Sequence, residues 1–167
     1  MRMVTEDPIR DNVVPTFSIL ENMALVGLDP IYRHGDMDWQ AMRSQLQTHS
    51  EVKTLRVPQA ERIAGTLSGG NLQKLIVGRE FSQNNKVLVI EDPTRGIDVG
   101  AIEFIWHEIQ KQVEEEGVSV ILITYDLNEA MTLSDRILVM SGGQLAGEVD
   151  AKNTTQEEIM TLAAKYV

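Results

Sequence analysis

The chain has 167 residues, 43% apolar and 24% charged, the balance of one soluble globular domain or of one domain plus an incomplete second, and not of a disordered tail. Lys+Arg is 15 and Asp+Glu is 25, a formal charge of −10 that argues against a partner held through its phosphate backbone. Cysteine is absent, which excludes disulfides and thiolate metal sites. No apolar run approaches the roughly 20 residues of a membrane helix, and the acidic start, Met1 to Pro8, lacks the apolar region of a secretory signal.

The first part of the chain is Met-rich and punctuated by Pro8, Pro15, Pro30 and Pro58. Ser18-Ile19-Leu20-Glu21 has the Ser-to-Glu spacing of a capping box, and Met23, Leu25 and Val26 continue that helix. Asp36-Met37-Asp38 opens a second helix with Trp39, Met42 and Leu46 on one face. Residues 16–56 thus read as a small helical subdomain whose Met and Trp side chains form core. Past Gly65 the pattern alternates. Asn71 to Phe81 reads as a helix with Leu72, Leu75, Ile76 and Arg79 on one side. Lys86 to Ile90 reads as a strand buried on both faces of a parallel sheet. Ala101 to Val113 is a helix with Ile102, Ile105, Trp106, Ile109 and Val113 inward, ended by Gly117. Val118 to Thr124 is a second buried strand and Leu127 to Leu133 a short helix. Arg136 to Met140 is a third strand that turns through Ser141-Gly142-Gly143-Gln144 into Leu145 to Val149. Thr155 caps a terminal helix. The expected fold class is α/β with a mostly parallel sheet plus a small helical subdomain, divided as residues 1–65 and 66–167.

Two segments carry chemistry. In Leu67-Ser68-Gly69-Gly70-Asn71 a Ser and two glycines open a helix. The glycines let backbone N–H groups approach a phosphate, and the helix N-terminus adds partial positive charge. Ser68 either caps the helix or donates to a phosphate oxygen. In Val87-Leu88-Val89-Ile90-Glu91-Asp92-Pro93 two carboxylates stand where a buried strand ends, the position at which open α/β sheets bind ligands. One such carboxylate can hold Mg²⁺ through water, and its neighbour can orient and activate an attacking water. Each segment alone is also an ordinary turn. Together, with Glu91 following Ser68 by 23 residues, they leave room for one helix between a phosphate turn and a carboxylate strand.

In that order and spacing the sequence resembles the ATP-binding-cassette ATPases. Leu67 to Asn71 is similar to their signature motif, Val87 to Asp92 to their Walker B strand, Pro93-Thr94-Arg95-Gly96-Ile97-Asp98 to the D-loop and Val118 to Asp126 to the switch strand. Ser134 to Met140 with Gly143-Gln144 resembles the strand and hairpin that follow. The Asn71-Leu72-Gln73-Lys74 continuation and Thr94 to Ala101 resemble the C-terminal cassette of tandem ATPases serving simple-sugar and nucleoside importers. Ile102-Glu103-Phe104-Ile105 leans toward the nucleoside branch. Val4-Thr5-Glu6-Asp7 resembles the Q-loop segment that leads into the helical subdomain. The resemblance implies a partial P-loop NTPase core using ATP and Mg²⁺. It implies cofactor contacts from Leu67, Ser68, Gly69, Gly70, Asn71, Asp98 and Glu6, a metal contact from Glu91, and catalytic positions at Glu91, Asp92 and Tyr125. It also implies partnership with a second cassette or N-terminal half and with transmembrane permease subunits, indirectly with a substrate-binding protein, and no nucleic acid. The place of action would be the cytoplasmic face of the membrane. A different class of function, a non-catalytic module that docks on a transporter or an intact cassette, fits the same residues.

Three departures qualify these expectations. No G-x-x-x-x-G-K-[ST] occurs in the sequence, and in this family that loop holds the β- and γ-phosphates, so the chain alone is expected to bind ATP weakly or not at all. The carboxylates run Glu91-Asp92 where the family has Asp then Glu. An Asp at the catalytic position withdraws its oxygens by roughly 1–1.5 Å, and displacements of that size cost about 10²-fold in rate. Tyr125 stands where the family has its switch His, without a donor that titrates near neutrality. Hydrolysis at this cassette's own site is therefore expected to be weak, while its signature serves the nucleotide of a partner cassette.

Overall fold

A computed structural model describes residues 1–26, 31–48, 60–82 and 85–166. The chain separates into two compact units, Met1–Ile121 and Leu122–Val167.

A three-stranded sheet is ordered β1-β4-β5, with β1 at Arg2–Val4 and β4 at Val87–Glu91 in the first unit and β5 at Ser119–Ile123 ending it. β1 runs parallel to β4 in the register Arg2–Leu88, Met3–Val89 and Val4–Ile90. Residues two apart share a face, so Val4, Leu88 and Ile90 point the same way, and all three are fully buried. α4 (Gly69–Phe81) lies against β1, against α5 (Val99–Glu114) and against α2 (Ile19–Val26). It brings Leu72, Leu75, Ile76, Val77 and Phe81 into this core, where Ala101, Ile105 and Ile109 of α5 are also buried. Removing each such aliphatic side chain from water contributes about 1.5–3 kcal/mol. Arg79 and Glu80, consecutive near the end of α4, are buried together. The Arg79 Nε and Nη2 donate to Glu80 Oε1 at 2.9 and 2.7 Å, and both side chains are 5% exposed.

The capping box forms as the spacing predicts. The Ser18 N–H and hydroxyl both donate to Glu21 Oε2 at 2.7 Å, and the Glu21 N–H donates back to Ser18 Oγ at 3.2 Å. The two bonds from Ser18 hold the Glu21 carboxyl below its ordinary pKa. Fully buried Asn22 braces the incoming chain, accepting from the Val14 N–H at 2.9 Å and donating to the Val14 and Ser18 carbonyls at 3.1 and 3.0 Å. α3 (Trp39–Thr48) starts at Asp38, whose carboxylate accepts from the Ala41 N–H at 3.0 Å. Met42 and Leu46 are buried, but Trp39 is 41% exposed and so is not the core residue expected of it. Asp36-Met37, expected to open that helix, instead forms β3, paired antiparallel with β2 (Tyr32–Arg33). A short helix, α1 (Pro8–Asp11), follows β1. The expected helical stretch at 49–56 lies outside the described residues.

Three further expectations are corrected. β4 and β5 were expected to be buried on both faces. In β4 only Leu88 and Ile90 are buried while Val87, Val89 and Glu91 are partly covered, and in β5 Ile121 and Ile123 are 55% and 45% exposed. The inward face of α5 is rotated from the expected one. Glu108 and Gln112 are buried in line with Ala101, Ile105 and Ile109, and Val113 is 40% exposed. The strand Arg136–Ser141 (β6) pairs with Gln144–Asp150 (β7) in a separate antiparallel sheet.

The second unit holds that hairpin, α6 (Leu127–Leu133) and α7 (Gln156–Ala163). Gly142 and Gly143 close the hairpin at φ 52° and 76°, the left-handed pair that a two-residue turn requires. α7 packs on both strands so closely that a Cβ on Gly147 would come within 2.9 Å of Leu162. The Ser141 hydroxyl donates to the Ala163 carbonyl at 2.6 Å. Across the hairpin, the Arg136 Nε donates to Glu148 at 2.7 Å, which lowers the pKa of that carboxyl.

Candidate functional site

The parallel register places the chain after β1 and the chain after β4 at the same edge. Val4 pairs with Ile90, so Thr5-Glu6-Asp7 and Glu91-Asp92 both leave the carboxyl ends of adjacent strands, where α/β sheets carry their ligands. Glu91 lies on the partly covered face. Asp92 is 8% exposed and takes φ +41°, a left-handed conformation that Asp tolerates better than most side chains. Its carbonyl accepts the Arg95 N–H at 3.2 Å, closing a tight turn, and Gly96 at φ +71° releases the chain from it. The turn brings Arg95 back across the strand ends, where its Nη1 lies 3.1 Å from Glu6 Oε2. The loop bearing Glu6 is ordered in its own right. The Thr5 N–H and hydroxyl donate to Asn12 Oδ1 at 3.0 and 2.7 Å, and the Asn12 side chain donates to the Met3 carbonyl at 3.1 Å.

Asp98 ends the same loop as the N-cap of α5, accepting the Ala101 N–H at 3.0 Å. Its other oxygen faces Gly70. A Cβ there would stand 2.9 Å from Asp98 Oδ2 and 3.2 Å from Ala101 Cβ. The glycine turn and the D-loop-like segment therefore meet within the chain. Ser68 is the extended N-cap residue of α4, and its carbonyl accepts the Leu72 N–H at 2.8 Å. Its exposed side chain makes no capping bond, so of the two roles open to it the cap is not the one taken. Gly69 and Asn71 are exposed and Leu67 is half-buried. A Cβ on Gly69 would meet only Ile97 Cγ2, at 4.0 Å, which leaves space for a ligand against the helix N-terminus.

Tyr125 belongs to the second unit. It is 88% exposed and directly precedes Asp126, whose carboxylate caps α6 by accepting from the Asn128 and Glu129 N–H groups. Among the described residues no group of three or more His, Asp or Glu side chains is arranged to hold a metal ion. Mg²⁺ sites commonly use only one or two carboxylates, with water and a substrate's phosphates completing the shell. No helix among the described residues is long and apolar enough to cross a membrane. Strand β1, the approach of Gly70 to Asp98 and the Arg95–Glu6 pair escaped the sequence reading. The alternation in Arg2-Met3-Val4 is too short to signal a strand by itself, and an ion pair between residues this far apart has no local signature.

No family model matches the chain. It is 40% identical over 162 residues to the ribose import ATP-binding protein RbsA 1 of Rubrobacter xylanophilus, covering 96% of this chain and 32% of that protein. It is 38% identical over 158 residues to the nucleoside import ATP-binding protein NupA of Lactococcus lactis subsp. cremoris, covering 93% and 31%. The chain thus spans about a third of the length of these relatives. Among solved structures its fold resembles that of the ATP-binding cassette MJ0796 in a dimeric post-hydrolysis state bound to ADP and Pi. The TM-score is 0.68 at 22% identity, over 92% of this chain and 64% of that one. On these relatives and this fold, the chain belongs to the ATP-binding-cassette ATPases.

Proposed function

We propose that this chain supplies the Ser68-Gly69-Gly70-Asn71 turn to a composite ATP site whose phosphate loop belongs to a partner cassette or N-terminal half, within an importer of simple sugars or nucleosides. The carrying observation is the exposed N-terminus of α4, with the Ser68 hydroxyl uncommitted to capping and the space beside Gly69 open. A terminal phosphate seated there receives the Ser68 hydroxyl, the first N–H groups of α4 and the positive end of the helix. ATP with Mg²⁺ supplies the reacting phosphoryl group. On this chain Glu91 takes the metal-side position through water, Asp92 orients the attacking water at its own site, and Asp98 holds the D-loop at the lobe interface. With Asp92 one methylene short and Tyr125 in the switch position, hydrolysis at this chain's own site is weak, and its main contribution is to the partner's nucleotide. Closure of the two lobes on ATP and reopening after hydrolysis would drive the permease subunits at the cytoplasmic face of the membrane. Residues 1–65 form the part that carries the Q-loop and meets the permease, and residues 66–167 form the catalytic part. A substrate-binding protein acts upstream of both, and no nucleic acid takes part. A second reading, a non-catalytic module docking on a transporter or an intact cassette, is favoured by the Glu91-Asp92 order.

The test is Ser68→Arg in the reconstituted complex with an intact second cassette. The bulk and charge of the new side chain fill the open space, and ATP turnover should be abolished. Turnover that survives removes the composite-site role. Titration of the chain alone with ATP should show no tight binding, and micromolar affinity would overturn the need for a partner's phosphate loop.

A further inference from the structure

We propose that Arg95 is a positioning residue that holds the Glu6 carboxylate at the carboxyl ends of β1 and β4. Both ends of the pair are ordered before they meet. Arg95 is aimed by a turn that Asp92 enters at φ +41° and Gly96 leaves at φ +71°, with its own N–H on the Asp92 carbonyl. Glu6 follows Thr5, which the Asn12 side chain holds through two bonds. Only side-chain freedom remains to be lost when Arg95 Nη1 and Glu6 Oε2 close to 3.1 Å. The local charge makes the contact consequential. Glu6, Asp7, Glu91 and Asp92 all leave these two strand ends, and carboxylates so grouped repel one another. The Arg95 guanidinium is brought to one of them, Glu6, by the same turn that carries Asp92. The two side chains are 67% and 49% exposed, and exposed pairs add little to global stability. The effect of Arg95 is therefore local. It fixes where Glu6 sits and ties the loop after β1 to the loop that ends at Asp98. The link to nucleotide rests on the function proposed above together with the ATP contact that the resemblance implies for Glu6.

The experiment has two readouts. The first is amide hydrogen exchange at Thr5, Arg10 and Asp11 in the protein without nucleotide. In Arg95→Gln, exchange at these amides should rise about two- to fivefold, the range expected from an exposed pair. Exchange in the unsubstituted protein should rise to the same level in 1 M salt, where screening acts over about 3 Å. Arg95→Lys and the charge exchange Glu6→Arg/Arg95→Glu should restore most of the protection. Unchanged exchange in Arg95→Gln, or no recovery in the charge exchange, overturns the proposal. The second readout is MgATP turnover in the reconstituted complex. Arg95→Gln should raise KM several-fold at unchanged kcat, Arg95→Lys should recover it, and the charge exchange should not, because position 6 then lacks its carboxylate. A response in exchange with no response in KM leaves the tether standing and removes the nucleotide role of Glu6, so the two readings fail separately.

Discussion

Gly69 and Gly70 are neighbours in one motif, and the structure gives them opposite responses to a methyl group. Alanine at either position gains helix propensity, at most about 1 kcal/mol and less in a first turn. At Gly69 the new Cβ meets only Ile97 Cγ2 at 4.0 Å, so Gly69→Ala should be neutral to about 1 kcal/mol stabilising. At Gly70 the Cβ arrives 2.9 Å from Asp98 Oδ2 and 3.2 Å from Ala101 Cβ. The carboxylate cannot swing away freely, because its other oxygen holds the Ala101 N–H at 3.0 Å. Losing that cap costs about 1 kcal/mol, and crowding Ala101 costs about 1 kcal/mol more. Against the propensity gain, Gly70→Ala should lose about 1 kcal/mol net. Urea denaturation followed by circular dichroism measures both. Asp98→Ala removes the obstructing oxygen, so the Gly70→Ala penalty should shrink in that background, with a coupling of about 1 kcal/mol in the double-mutant cycle. Equal stability of Gly70→Ala and Gly69→Ala would refute the assignment of Gly70 to packing against the D-loop-like segment.

Asn22→Ala strips the part-buried Val14 N–H of its acceptor and empties a fully buried position, and the lost bonds should cost about 1–2 kcal/mol in thermal or urea unfolding. Asp92→Val should be less stable than Asp92→Asn by roughly 1–2 kcal/mol, since φ +41° suits Asn and penalises a β-branched residue; the same unfolding assay compares them. Glu21 and Glu148 have folded pKa values below the ordinary 4.5, through the Ser18 bonds and the Arg136 bond respectively. A depressed carboxyl contributes stability that is complete above its unfolded value and is lost as pH falls through the folded one. Tm should therefore drop as pH goes below about 4.5, and Glu21→Gln with Glu148→Gln should flatten that drop.

Elements with a chemical signature at their ends were legible. The Ser18–Glu21 box, the glycine opening α4, Thr155 before α7 and the Gly142-Gly143 turn are all local hydrogen-bond or backbone requirements, and each formed as read. What was misread depends on neighbours distant in sequence. β1 is three residues long and exists as a strand because β4 pairs with it. The burial of β5 was inferred from its composition, but Ile121 and Ile123 face open space in this chain. Val113 fits the apolar period of α5, yet Glu108 and Gln112 are the side chains its packing encloses. In the site, the residue types and their order were readable from the motifs. The closeness of Gly70 to Asp98 and of Arg95 to Glu6 was not, because each contact joins segments by folding alone.

Arg79 and Glu80 satisfy each other within one helix, so α4 carries its interior charges as a neutral, self-contained unit. Removing either side chain would strand the other without a counter-charge in the core, at a cost of about 3–5 kcal/mol. The two positions can therefore change only together, and an apolar pair of similar volume is the replacement this interior would accept.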